Sequence, residues 1–229
     1  MTRRTAEPDL HRLSTPRAAA VAGVLFAVLF GTALTLIRVA LPEGAEPGAQ
    51  WLATGSTNIK VAAIIMPFAG ITFLWFLGVV RDGFGGFEDK FFSTVFIGSG
   101  LLFLAMMFVS MAIGAGLEAS SAVFADSSAH DEVAAFGQMI FLVITKTYAL
   151  RMAAVFMMSL ATIWLKTGLM PRWLVIATYL VALGLLVAGD LTMWLTLAFP
   201  AWVLVVSVLL LVRAGVVDLT RDEPAAGAR

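Results

Sequence analysis

Apolar positions in this chain run in long unbroken blocks instead of alternating or recurring at the spacing of a one-sided helix. A bilayer core about 30 Å thick takes about 20 residues of α-helix to cross. Ala18–Ala40, Val61–Val80, Phe91–Gly116 and Met139–Leu165 each supply that length. The last block, Trp173 to Val217, is too long for one helix and must turn once. Pro200 marks the turn, because proline fits the first turn of a helix and breaks its interior. Trp194 and Trp202 flank it, where the aromatic residues of a membrane interface would sit. The pattern predicts an all-α transmembrane bundle of about six spans, at 18–40, 61–80, 91–116, 139–165, 173–197 and 200–217. These form one domain, 18–217, between polar tails 1–17 and 218–229. Arg3 and Arg4 precede the first block as in an export signal, but its apolar run exceeds the about 7–15 residues of a signal core. The block is therefore read as a retained span.

Composition agrees. Of 229 residues, 60% are hydrophobic and 13% charged, and the mean hydropathy is +0.95. Soluble domains are about 45–50% apolar and about 25% charged, so the surplus apolar surface must face lipid. The absence of cysteine excludes disulfides, thiolate metal sites and iron–sulfur clusters. The two histidines, His11 in the N-terminal tail and His130 in a polar loop, do not supply the paired intramembrane imidazoles of a b-type haem. With 15 basic and 15 acidic residues, no basic surface for nucleic acid is expected. No cofactor and no metal centre is expected either. Met107 and Met111 lie four apart on the third span, as thioether ligands for Cu(I) would. Flexible core filling explains them more simply.

Charge placement orients the bundle. With six spans and an inner N-terminus, eleven of the 15 basic residues fall on inner segments. Only Arg38 and Lys60 fall outside, and Lys146 and Arg151 lie within the fourth span. The positive-inside rule then places both termini in the cytoplasm. The first outer loop, 41–59, is rich in Gly, Pro and Ala. The second, 117–137, holds Glu118, Asp126, Asp131 and Glu132 without lysine or arginine. That second loop is either a solvated connector or a place for cations or a partner, and Asp131–Phe136 would begin an amphipathic turn into span four.

In lipid, small residues that let backbones approach carry much of helix association. Gly23, Ala27, Gly31 and Thr35 recur at a spacing of four on span one, a candidate packing stripe for the bundle, a protein partner or a second copy. Thr94 with Gly98, Ser110 with Gly114 and Ala112 with Gly116 form shorter series on span three. Pro67 frees the carbonyl of Ala63 and is expected to kink span two.

Ionisable groups at membrane depth are costly and are usually functional or paired. Counting residues from the inner boundary places Lys146 about 30 Å, Arg151 about 22 Å and Asp190 about 27 Å deep. In α-helical geometry Lys146 and Arg151 point roughly 140° apart, and Arg151 shares a face with Thr147 and Tyr148. Lys146, Thr147, Tyr148, Arg151 and Asp190 are thus the candidate intramembrane polar site. Asp190 pairs with one of the two bases or lies in the outer hairpin. The set is read either as a cavity lining for an anion, a proton or a polar headgroup, or as a structural pair fixing helices four and five.

No H-E-x-x-H, P-loop, G-x-S-x-G or dinucleotide fingerprint occurs. The stretch Arg81–Phe103, RDGFGGFEDKFFSTVFIGSGLLF, together with Tyr148–Phe156, resembles uncharacterised multi-pass membrane proteins of actinobacteria. The resemblance implies a bacterial plasma-membrane protein and assigns no activity. The expected role is a non-enzymatic accessory or interaction protein in the bilayer. A channel or secondary transporter using spans four and five is the alternative. A membrane enzyme would have only Asp190, Glu118 and His130 to work with.

Overall fold

A computed structural model describes residues 15–41, 50–82, 90–124, 128–189 and 193–213. Residues 1–14, the C-terminal polar tail, the Gly-rich segment 83–89 and Asp190 lie outside them. The described residues form α-helices α1 (Thr15–Ala40), α2 (Gln50–Asp82) and α3 (Lys90–Phe124), then α4 (Ser128–Leu142). A π-helical segment, Val143–Ala149, joins α4 to α5 (Leu150–Thr167). There follow α6 (Arg172–Ala188), a 3-10 turn (Met193–Leu197) and α7 (Ala198–Arg213). Among the described residues five stretches are long and apolar enough to cross a membrane, the fourth being Asp131–Thr167 through the π segment. The apolar α6 is shorter. The chain is an all-α bundle, as its hydrophobic blocks imply.

Several helix limits differ from expectation. α2 starts at Gln50 and α3 reaches Phe124, so much of both expected outer loops is helical. Helix formers continue beyond the apolar block, and intrahelical hydrogen bonding does not stop where the hydrocarbon does. The fifth expected helix ends at Ala188, short of the expected 197, and the chain re-enters through the 3-10 turn. α7 begins at Ala198 with Pro200 in its first turn, where the missing N–H costs nothing. α5 stops at Gly168, whose φ of 68° is the left-handed cap conformation and whose N–H donates to the Trp164 carbonyl.

α1 and α2 run antiparallel. Gly23 on α1 lies against Phe76 of α2, while Gly55 on α2 lies against Ala40 of α1. A Cβ on Gly55 would fall 2.8 Å from the Ala40 Cα. That contact is with backbone and cannot be relieved by a rotamer. α1 packs on α2 and α7, α3 on α2 and α5, and α6 chiefly on α5. The Trp202 indole N–H, donating to Thr178 Oγ1 at 2.9 Å, ties α7 to α6.

The ring of helices closes on a cluster of aromatic side chains. Phe73 of α2 meets Phe26, Phe76, Phe103, Phe156 and Phe199 at centroid distances of 4.8 to 6.5 Å. Four helices besides α2 thus converge on one buried ring. Phe199 and Phe156 extend the cluster to Trp202, which meets Trp164. Trp202 is only 6% exposed, so it is a core residue and not part of an interface belt. Trp194, 60% exposed, is placed as a belt residue would be. The turn sits at 193–197, which sends position 202 inward on the second turn of α7.

Phe73→Ala is expected to destabilise the bundle by about 3–5 kcal/mol, read by thermal unfolding in detergent. Trp75→Ala, two residues on and 63% exposed, should change stability by about 0.5 kcal/mol or less. Equal losses would remove Phe73 from its central role.

Candidate functional site

The aromatic cluster divides the bundle into two ends, one carrying Arg38, Lys60 and Glu118, the other Arg81, Lys90, Lys166 and Arg172. Buried polar side chains of the described residues occur toward both ends, with Arg38, Ser110, Gln138, Thr145 and Thr196 on the Arg38 side. Phe26, Phe30, Leu34 and Arg38 follow at a spacing of four on α1, and all four are buried. This geometry carries the guanidinium inward on the core-facing stripe instead of leaving it at the surface. Arg38 Nη2 donates to Thr196 Oγ1 of the 3-10 turn. Its Cζ lies 5.7 Å from the centroid of the Trp194 ring, a cation–π contact.

A second polar contact joins α3 to the π segment. Thr145 Oγ1 lies 3.1 Å from Ser110 Oγ and 2.8 Å from its own Phe141 carbonyl. Both residues are buried, as is Gln138 two turns earlier on α4. Lys60 Nζ and Glu118 Oε1 form an ion pair of 2.8 Å between α2 and α3, with Lys60 59% exposed. Such an exposed pair contributes at most about 1 kcal/mol. It places Glu118 on a helix, in contrast to the acidic loop expected there.

The proposed Lys146 site has a different shape from that expected. The π segment replaces i→i+4 bonds with i→i+5 bonds, shown by the Leu150 N–H donating to the Thr145 carbonyl. This reduces the angular separation of positions five apart, so the α-helical 140° between Lys146 and Arg151 does not apply. Arg151 Nη1 donates to the Thr147 backbone carbonyl at 2.8 Å. Tyr148 is 57% exposed and faces away from the bundle. Lys146, Thr147 and Arg151 are half-buried. α6 approaches this segment closely, since a Cβ on Gly189 would lie 2.9 Å from Leu150 Cδ2 and 3.4 Å from the Lys146 carbonyl oxygen. The choice of partner for Asp190 lies outside the described residues.

The span-one stripe is divided. Gly23 and Ala27 are buried, and Gly23 receives the Ser207 side chain of α7. Gly31 has nothing within 4 Å of a Cβ position. Gly31 and Thr35 line a lateral groove of about 510 Å³ whose other wall is Pro200, Ala201 and Leu204 of α7. On α3, Gly98 and Gly116 also meet nothing, whereas Gly100 abuts Leu77 and Phe156. α2 continues as one helix through Pro67, which lies in a smaller groove of about 220 Å³ against Phe108 and Met111.

Among the described residues no cluster of His, Cys, Asp or Glu has the arrangement of a metal site. Met107 and Met111 are packed in the core. Sequence reasoning missed Arg38, Thr196, Gln138 and the Ser110–Thr145 pair. The spacing of Arg38 from Leu34 was a usable signal for the first. Nothing local announced Thr196, which is brought to Arg38 from 158 positions away. Comparison of the chain with protein-family models, with curated proteins and with solved structures finds no match.

Thr196→Val removes the hydroxyl that Arg38 contacts and is expected to cost about 1.5–3 kcal/mol, the range for a hydrogen bond to a charged group. Thr35→Val, whose hydroxyl only bonds the Gly31 carbonyl at an exposed position, should cost about 0.5 kcal/mol or less. Thermal unfolding of the two variants side by side checks the difference.

Proposed function

We propose that this integral membrane protein works without chemistry of its own, by holding an apolar helix of another membrane protein in the groove between α1 and α7. The observation that carries this reading is the pairing of a closed interior with a large lateral opening. The aromatic cluster fills the middle of the bundle, while the 510 Å³ groove faces the side where lipid or a neighbouring helix would lie. Its floor is Gly31, and the Thr35 hydroxyl already donates to the Gly31 carbonyl at 2.8 Å. The Thr35 donor is therefore already satisfied within α1, which suits an apolar helix packing by close backbone approach. A bacterial plasma membrane is the proposed location. The end rich in Arg81, Lys90, Lys166 and Arg172 faces the cytoplasm in this reading, supported by the bias of basic residues.

A photo-crosslinking residue at Thr32, on the groove wall, tests the proposal in native membranes. A discrete protein adduct is expected, and Gly31→Leu should abolish it while the protein still folds. Adducts to lipid alone would sink the reading. An adduct of twice the chain mass would make the occupant a second copy.

A second reading, transport, is favoured by the polar side chains buried toward the Arg38 end. It requires the rings around Phe73 to part. Proteoliposomes loaded with a pH-sensitive dye are expected to show no proton flux. A flux that is lost in Lys146→Met or Arg151→Met would replace the accessory role with a transporter.

A further inference from the structure

At the end of the bundle opposite Arg38, basic side chains stand next to exposed apolar ones. Lys90 precedes Phe91 at the start of α3, Lys166 follows Leu165 in the last turn of α5, and Arg172 precedes Trp173 at the start of α6. All three basic residues are exposed. Phe91, Leu165 and Trp173 are each more than half exposed as well.

Two contacts bring these pairs to one level. Lys166 Nζ lies 4.5 Å from the centroid of the Phe92 ring, a cation–π contact that holds the ammonium of α5 against the first turn of α3. On the other flank, Thr162 Oγ1 lies 2.6 Å from the Tyr179 hydroxyl. From that contact Lys166 is about 6 Å along α5 and Arg172 about 10 Å along α6, both toward the turn that joins the two helices. α5 packs on α3 and on α6, so the three cations form a row across three neighbouring helices. Packed helices lie about 8–10 Å apart, which leaves room for separate anionic groups to meet separate cations. Among the described residues, Asp82 beside Arg81 on α2 is the acidic side chain of this end; Glu88 and Asp89 lie outside them.

We propose that the row Lys90–Lys166–Arg172 is a docking surface for anionic phospholipids, with phosphates on the cations and acyl chains on Phe91, Leu165 and Trp173. Charge complementarity and the neighbouring apolar side chains together select this ligand. A soluble phosphate would use the cations and leave the apolar side chains uncovered. An apolar helix would cover those side chains and strip water from three charges without replacing it, which is costly. A lipid with an anionic head satisfies both, as basic clusters at the ends of membrane spans do with acidic headgroups. This surface is independent of the groove between α1 and α7, which other helices form.

The probe is phosphatidylglycerol with a photoreactive acyl chain, set against phosphatidylcholine with the same chain, each in bilayers around the intact protein. Phosphatidylglycerol is expected to label the peptides holding Phe91 and Leu165–Trp173 several-fold more than phosphatidylcholine does. Equal labelling by the two lipids would overturn the proposal, as would a phosphatidylglycerol preference confined to the peptides around Arg38 and Lys60. Excess glycerol phosphate, the headgroup chemistry without chains, should leave the labelling unchanged. Displacement by it would make the surface a soluble-phosphate site and sink the lipid assignment. In a variant carrying Lys90→Gln, Lys166→Gln and Arg172→Gln the preference should vanish, whereas Lys60→Gln at the other end should keep it. A preference that persists in the triple variant would remove the row as its cause. The labelling map of the unsubstituted protein decides the location even if the triple variant does not fold.

Discussion

Five helices converge on the ring of Phe73, and the rest of the structure depends on that convergence. In lipid there is no gain from moving a leucine from the bilayer to a helix interface. Cohesion has to come from close packing, from ring–ring contacts worth about 0.5–1.5 kcal/mol each, and from a few buried hydrogen bonds. Phe73 collects rings from α1, α3, α5 and α7 around α2. Once those rings are seated, the spacing of the helices is set, and so is the closure of the middle of the bundle. Arg38, Thr196, Ser110, Thr145 and Gln138 lie on one side of the rings, and buried hydroxyls such as Ser99, Ser159 and Ser207 lie on the other.

The π segment is the second organising feature, and it acts on the first. The widened turn at Val143–Ala149 lets one continuous helical element place Thr145 inward while Tyr148 points out. It also disturbs the carbonyl ladder, and Arg151 answers by donating to the Thr147 carbonyl. An arginine placed at membrane depth is thereby given a partner on its own element. Part of the chemistry that makes this stretch conspicuous in the sequence is thus spent on its own backbone. The groove between α1 and α7 follows from the opposite circumstance. Among the described residues nothing lies within 4 Å of a Cβ on Gly31 and Thr35 is exposed, whereas Gly23 and Ala27 are buried.

The fold class and the approximate course of the helices were legible because apolar block length reports bilayer thickness directly. The first-turn position of Pro200 was legible because it is a local backbone constraint. Helix ends were less so: hydropathy marks where lipid should stop, not where hydrogen bonding stops, and α2 and α3 both run on. Trp202 was misplaced because the 3-10 turn shifts the facing of α7, and Tyr148 because the π segment changes the periodicity on which the face assignment rested. The close contacts at Gly55, Gly70 and Gly100 carried no distinguishing spacing, although each is tighter than those on the span-three series.

By itself the sequence determined that the chain is helical and that its helices are long and apolar enough to span a bilayer. These are properties of runs and counts, and they follow from the length of a helical residue and the cost of placing charge in hydrocarbon. Tertiary structure alone decided which polar groups meet, which small residues are covered, and that Thr196 is brought to Arg38. Those outcomes depend on the rotation of each helix about its axis. That rotation is set by ring packing between segments remote in sequence, and no local pattern encodes it.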